Sequence, residues 1–548
     1  MDGRMYAERI RAQTLHAFAR RREVETPKPR YPIPRLTGGA VAERAAGAFG
    51  IVNNNVLINN DPMRLEEELF PPPQPPPPRT TAQQLFQATD ILLTYNASIS
   101  IPPTRGARIH YLFFASAATA YNWVIAQQAI QGIKDSFDWS TKFPLQSDAD
   151  QTTFVTEALE LILANLIPTY TKGQLTSSLT QAQKDRIVSA KSLGNFTAWQ
   201  AAWETWRAYR ETDGWVAASQ FPDPSTLPNG SLFLEVSQSQ AISQYPSPTQ
   251  WTPLSINGAQ KKYLTATWND VRTTCLTLQQ ESLTKTLASA NILTGTQRTL
   301  EIAALYATTQ TLTDQQKIIA EFWAGGPGTP APPGIAIWLW RQAAELTAAS
   351  SYTAIFSALE LAAALFESSR LVWGLKYDYK EARPIQEIRR LYAGQQSIKY
   401  DGTTIPAELW VPFQPPNFVT PPFPDFPSGH STFSQSLANV MTTWFGSQLP
   451  TQTFTTTTAT LVAPILPATA TLSLTEFPIA QGASDTQPGV VPSTPLLLSF
   501  TTWQDMADSA GVSRQYGGIH AQSAHLGGQV VANEVTSFVR TMWDITLG

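Results

Sequence analysis

Residues 423–445 read FPDFPSGHSTFSQSLANVMTTWF. Phe433, Leu437, Val440, Met441 and Trp444 recur at helical spacing, so a helix begins near residue 430. Ser428, directly after Pro427, suits its N-cap. The free amides of Gly429 and the next residues then point out of a helix N-terminus, where donors and dipole favour an anion. Gly429 lets a ligand approach the backbone closely. His430 stands at the lip, where an imidazole exchanges protons near neutral pH.

Two further stretches share this chemistry. In WGLKYDYKEARP, 373–384, Lys376 and Arg383 lie seven apart, which places both on one helical face. Pro384 disfavours helical geometry at Arg383, so the helix is expected to end there. Lys brings a point charge and Arg a planar fork, two ways to hold an oxyanion. In VSRQYGGIHAQSAHLGGQVVANEV, 512–535, Arg514 and His520 lie six apart, off one face. Gly517 and Gly518 predict a bend, with His520 opening a final helix that turns Ile519, Val530, Val531, Val535, Phe538 and Val539 inward. His525 reads as structural. Taken singly, the stretches read as a basic helix face, a Pro-Ser-Gly turn and a core histidine. Together they describe one pocket for a tetrahedral oxyanion.

Their order, Lys-x6-Arg-Pro, then Pro-Ser-Gly-His, then Ser-Arg-x5-His, resembles the three-part signature of the vanadium-dependent haloperoxidases and the related acid phosphatases. The resemblance extends over 315–548, including AEFWAGGPGTPAPPG; before that the chain matches only in helical, aromatic-rich character. It implies vanadate as cofactor, its equatorial oxygens held by Lys376, Arg383 and Arg514. Ser428 and the Gly429 amide add hydrogen bonds. His430 is the acid–base residue, and His520 is the axial ligand through Nε2, so the catalytic set is Lys376, Arg383, His430, Arg514 and His520. Bound vanadate would act as a Lewis acid toward hydrogen peroxide, and a halide, chloride or bromide, would be oxidised to hypohalous acid that halogenates a small organic substrate. No Rossmann glycine pattern and no haem Cys-x-x-Cys-His occurs in the chain.

Two alternatives stay open. An acid phosphatase would use His520 as the phosphorylated nucleophile, and a non-catalytic scaffold or assembly protein would bind no oxyanion. Trp373 and Phe423 lean toward a haloperoxidase of the chloroperoxidase branch, which carries Trp and Phe at the halide site; bromoperoxidases often place His where Phe423 stands. An aromatic wall desolvates a halide and strengthens its attraction to nearby cations. Chain length points the same way. Two acids common in the family are replaced here, by Gly325 and by Ala524. Such acids orient the groups that touch the ligand; Asp425 and Asp505 are the candidates to stand in.

Composition bounds the rest. With 548 residues, two or more packing units are expected. A net charge of −4 gives no basic signal for nucleic acid. Charged residues are only 15%, below the usual quarter, which fits a large buried fraction or a homo-oligomer interface. The single Cys275 excludes an intramolecular disulfide framework. No signal peptide is read at the N-terminus, so a cytoplasmic protein or leaderless export is expected. No membrane span is expected either: 355–373 is apolar but carries Glu360, Glu367 and Arg370.

The expected architecture is all-α: two packed helical bundles with long loops. Residues 1–80 read as an N-terminal arm, with a basic amphipathic helix and a polyproline strut at 71–79. Residues 81–325 read as an N-terminal helical bundle, with helices at 107–131, 150–167, 181–211 and 296–324. Trp199, Trp203 and Trp206 form an inward stripe there. Residues 326–548 read as a C-terminal bundle carrying the pocket, with helices near 335–350, 352–382, 430–446, 502–511 and 519–542. Thr313 with Gln316, and Thr501 with Gln504, read as caps. The Thr/Pro-rich 449–500 insertion reads as a small β hairpin, placed to cover the pocket mouth or an interface.

Overall fold

The computed structural model describes residues 80–125, 148–185, 195–220, 232–244, 247, 249–261 and 264–547. The N-terminal arm and polyproline strut, the last turns of the 107–131 helix and the 186–194 stretch lie outside them.

Helices form where apolar periodicity and caps coincide. The first, α1 (Thr81–Ser98), opens on a Thr80–Gln83 capping box. It packs on α3 (Asp148–Leu166), and α2 (Pro103–Ile125) packs in turn on α3 and on α4 (Asn195–Glu211). The tryptophan stripe of α4 is buried as expected, with Trp199 and Trp203 stacked at 5.8 Å between ring centroids. Among the described residues of 232–277 there is no α-helix: β1 (Leu234–Glu235) runs parallel to β2 (Leu254–Ile256), which pairs antiparallel with β3 (Ala259–Gln260). Beyond this come α5 (Leu278–Ser289), α6 (Gly295–Thr309) and α7 (Asp314–Phe322). The last two replace the single helix expected over 296–324. The Thr313–Gln316 capping box that starts α7 is the physical reason for the break.

Helix α8 (Ala331–Leu346) leads into α9 (Ser351–Tyr379), 29 residues long. From Ala354 to Lys376 every residue of α9 is buried, as expected of a helix that is apolar all round and central to its bundle. It packs against α2, α11 (Gly429–Phe445) and α13 (Gln522–Leu547), while α11 also packs on α12 (Trp503–Tyr516). One apolar cluster runs from Ala82 on α1 to Val539 on α13.

Between α9 and α11 the chain reverses. Lys380 closes α9 in the left-handed conformation, and a short helix, α10 (Pro384–Leu391), starts at Pro384 with Arg383 as its extended N-cap. The helix therefore ends earlier than expected. Proline at the first helical position starts a helix here rather than only stopping one. Lys376 and Arg383 do not share a helical face; a bend brings them together.

A two-stranded pair, β4 (Gln396–Ile398) and β5 (Thr404–Pro406), follows α10. The 449–500 insertion holds more than a hairpin. Its strands β6 (Thr453–Thr456), β7 (Ala470–Ser473), β8 (Glu476–Ile479) and β9 (Leu496–Ser499) form an antiparallel sheet in that order. Phe477 of this sheet packs on Phe322 of α7, and Phe454 on Trp338 of α8. Glu321 fastens the same segment by accepting from Ser484 Oγ and from the Asp485 and Thr486 amides. Among the described residues no helix is long and apolar enough to cross a membrane.

The Trp199 indole is fully buried and donates to Thr119 Oγ1 at 3.3 Å. Trp199→Ala should destabilise the protein by about 3–5 kcal/mol. A denaturant titration followed by circular dichroism checks this, and an unchanged midpoint would show that the stripe does not anchor α4.

Candidate active site

The three motif stretches converge on one cavity of about 250 Å³. Its floor and walls include Trp373, Phe423, Gly429, His430, Arg514 and His520. Lys376, Arg383 and Ser428 sit directly behind, almost fully buried. His520 lies in the turn before α13 rather than within it, and the left-handed Gly518 makes that turn.

His520 is the most constrained group. Its Nδ1 is 2.5 Å from Asp425 Oδ1, and Arg383 Nη1 lies 3.1 Å from its Nε2. Asp425 has no exposure and is held in turn by Arg298 Nη2 at 3.2 Å and by the Ala521 amide at 3.4 Å. Burial alone would raise the Asp425 pKa, but His520, Arg298 and Arg383 outweigh it and hold the carboxyl well below the usual range. For His520, burial and Arg383 push the imidazole down to about 3 against the pull of Asp425. A neutral ring facing an ionised carboxylate carries its proton on Nδ1. Nε2 is then unprotonated and accepts from Arg383 Nη1.

His430 sits on the first turn of α11 with Nε2 3.1 Å from the Ala324 carbonyl. Burial, Arg514 and His520 push its pKa well below the usual value, so it is neutral near pH 7 and donates from Nε2. Its Nδ1 is then the acceptor. Arg514 donates from Nη2 to Ala320 O at 2.6 Å and from Nη1 to Ala324 O at 3.3 Å. The absent acid at Gly325 is thus replaced by main-chain carbonyls. Gly325 itself has φ +55°, and a Cβ there would press Pro332 at 3.0 Å and His430 Nε2 at 3.3 Å. A larger residue at 325 would displace the imidazole.

Of the two stand-in acids, Asp425 reaches the site and Asp505 does not. Asp505 caps α12, accepting from the Thr501 and Thr502 amides at 2.9 and 2.8 Å. The N-cap is Thr502 with Asp505, not Thr501 with Gln504, because the helix starts one residue later. At Ala524 the carbonyl accepts the Ser428 amide at 2.8 Å and fixes the start of α11. His525 is structural, with Nδ1 2.9 Å from Ser431 Oγ.

The cations differ in what they have free. Lys376 Nζ donates to the carbonyls of Pro424, Asp425 and Pro427, which uses all three of its protons. It supplies charge behind the wall rather than a direct grip on an oxygen. Arg383 gives Nε to Phe423 O at 2.7 Å and Nη1 to Ile519 O at 2.7 Å, while its buried Nη2 has no hydrogen-bond partner. Ser428 accepts the Ser431 amide as N-cap, leaving its own proton to donate. A Cβ on Gly429 would lie 3.6 Å from both Phe433 and Trp373 and so occupy the cavity floor. An orphan guanidinium nitrogen, a floor kept open by glycine and one unprotonated imidazole nitrogen fit a tetraoxo anion such as vanadate or phosphate. Among the described residues no three His, Cys, Asp or Glu side chains converge to hold a bare cation.

Trp373 and Phe423 pack with ring centroids 5.0 Å apart. Lys376 Nζ and the Arg383 guanidinium lie 5.1 and 5.0 Å from the Phe423 centroid. The Trp373 indole donates to Leu264 O at 3.1 Å. None of the 449–500 insertion lines the cavity, so of the two roles expected for it, covering the pocket mouth or an interface, the first does not hold.

Arg298 was not legible as part of this site. It gathers Glu301, Glu381, Glu387 and Asp425 around one guanidinium, at 2.9, 3.5, 2.6 and 3.2 Å. The one local signal was its i, i+3 spacing to Glu301.

This arrangement has relatives. Residues 356–545 match the family described as the VCPO second helical-bundle domain. An apo-type bacterial vanadium-dependent chloroperoxidase superposes with a TM-score of 0.57 at 14% identity, covering 81% of this chain and 96% of that one. The holo-type bacterial chloroperoxidase gives 0.54 at 12%, covering 82% and 94%. A bacterial vanadium-dependent iodoperoxidase gives 0.53 at 17%, covering 85% and 97%. No curated protein matches the sequence. The fold is that of the vanadium-dependent haloperoxidases, as the resemblance of the three motifs implied.

Replacing Asp425 tests the tautomer assigned to His520. Asp425→Ala should weaken vanadate binding about 10–100-fold, as removal of a group orienting a ligating histidine does. Asp425→Asn, whose oxygen still accepts from Nδ1–H, should keep most of it. Isothermal calorimetry with vanadate decides; equal affinity in Asp425→Ala would show that the contact does not orient the ring.

Proposed function

We propose that the chain is a vanadium-dependent haloperoxidase that oxidises chloride or bromide with hydrogen peroxide. The observation that carries this reading is the buried His520, its proton kept on Nδ1 by Asp425 and its unprotonated Nε2 set among buried cations. Vanadate, when bound, supplies a Lewis acid that activates peroxide without a change in its own oxidation state. Everything else is done by the chain. His520 Nε2 would hold the vanadate. Arg383, through its free Nη2, and Arg514 would hold its oxygens, and the Gly429 amide and Ser428 hydroxyl would donate to the same anion. Lys376 adds positive potential from behind Phe423. His430 Nδ1 accepts the proton of incoming peroxide, and the anion beside it favours the protonated ring. Trp373 and Phe423 exclude water from the halide and strengthen its attraction to the buried cations.

A phosphatase would share the oxyanion floor and use the same Nε2 as nucleophile. The aromatic wall argues against it, since a phosphomonoester gains little from two apolar rings beside its charged end.

His520→Ala should abolish vanadate retention. His430→Ala should retain vanadate and lower bromination about 10²–10⁴-fold. Elemental analysis after dialysis and a bromination assay read the two effects separately. Full vanadate retention in His520→Ala would sink the axial assignment, and phosphomonoester turnover without halogenation would move the chain to the phosphatases. Phe423→His should raise bromide use relative to chloride; unchanged halide ratios would remove Phe423 from the halide site.

A further inference from the structure

Three short segments carry the groups that face the cavity, and α6, which belongs to none of them, touches each. Arg298 and Glu301 lie three apart on this helix and pair at 2.9 Å. Arg298 Nη2 donates to the Ala382 carbonyl at 3.2 Å, directly before Arg383. The same nitrogen donates to Asp425 Oδ2 at 3.2 Å, three residues before Ser428. Nη1 donates to Ser523 Oγ at 3.3 Å, three residues after His520, and Glu301 accepts the Ser523 amide at 2.5 Å. The guanidinium is buried and is itself held by Glu387 Oε1, which accepts from Nε at 3.0 Å and from Nη2 at 2.6 Å.

Asp425 is pinned through both of its oxygens. Oδ1 lies 2.5 Å from His520 Nδ1, while Oδ2 meets Arg298 Nη2 and, at 3.4 Å, the Ala521 amide. The terminal torsion of an aspartate is broad and roughly two-fold, so a partner on one oxygen does not fix the carboxylate plane, whereas partners on both do. A planar guanidinium with five donors serves Glu387, Ala382 and Asp425 at once; a lysine ammonium has three donors and no fork. We infer that Arg298 is a positioning residue of the active site: by gripping Asp425 Oδ2 it sets the carboxylate plane that aims the His520 ring, and with it the affinity for the oxyanion. This role rests on the proposed oxyanion pocket, whichever reaction takes place there. It makes α6, which carries none of the three motifs, a part of the site.

Vanadate affinity is measured by calorimetry in the wild type, Arg298→Lys, Asp425→Ala and the double variant. Arg298→Lys keeps a cation among the acids but loses the fork, and its affinity should fall about tenfold. In the Asp425→Ala background the same change should cost less than about twofold, because the effect runs through Asp425. An equal loss in both backgrounds, as a merely structural residue would give, overturns the positioning role, and so does no loss in either. If Arg298→Lys shows no cooperative thermal transition, Arg298→Gln combined with Glu387→Gln, which removes one charge of each sign, takes its place under the same two criteria. A second readout needs no vanadate: nitrogen-15 spectra of histidine-labelled protein report the His520 tautomer, its signal identified by its loss in His520→Gln. The wild type should show Nδ1–H alone, and Arg298→Lys a mixture of both tautomers; the wild-type pattern in Arg298→Lys overturns the inference. A wild type that shows this tautomer change on substitution yet binds no vanadate sinks the haloperoxidase reading and leaves the role of Arg298 toward His520 standing.

Discussion

Three cations, Lys376, Arg383 and Arg514, are buried around one cavity, and among the described residues Arg383 is the one that reaches a carboxylate, Asp425 at 3.7 Å. Burial pushes the pKa of each downward, which is the signature of charge removed from water without a full complement of anions. Such an excess is tolerated because carbonyls accept most of the donors: three for Lys376, two each for Arg383 and Arg514. Carbonyl dipoles solvate a cation but do not neutralise it. The site is therefore poised for an anion, and the rest of the architecture serves to keep that charge in place.

Asp425 converts this excess into chemistry. One carboxylate faces two duties, ionic contact with Arg298 and Arg383 and orientation of His520. Because the arginines help keep it ionised, the imidazole proton stays on Nδ1 and the other nitrogen is left unprotonated, accepting from Arg383 Nη1 at 3.1 Å. Arg298, which also pairs with Glu301, Glu381 and Glu387, holds the same carboxylate at 3.2 Å. The tautomer and orientation of His520 thus rest on one buried contact.

Much of the helical framework was legible along the chain. The tryptophan stripe of α4 and the start of α11 follow from apolar spacing, and the Thr313 cap of α7 from local hydrogen-bond chemistry. Less legible were the Lys376–Arg383 pair and the four-stranded sheet. In the first case Pro384 was compatible with a helix ending at Arg383 and with a new helix beginning there, and spacing alone does not choose. In the second, strands of four residues carry too little periodicity to count.

The sequence by itself determined which chemical groups were available and in what local frame: the imidazoles, the cations, the helix N-terminus at Ser428–Gly429 and the aromatic pair. Only the tertiary structure decided which of them act together. Asp425 and His520 are distant along the chain, and no local pattern marks that contact. Main-chain carbonyls took the place of missing side-chain acids at Arg514 and used every proton of Lys376. Every residue carries such a carbonyl, so residue identity does not reveal which ones a fold will turn toward a buried cation.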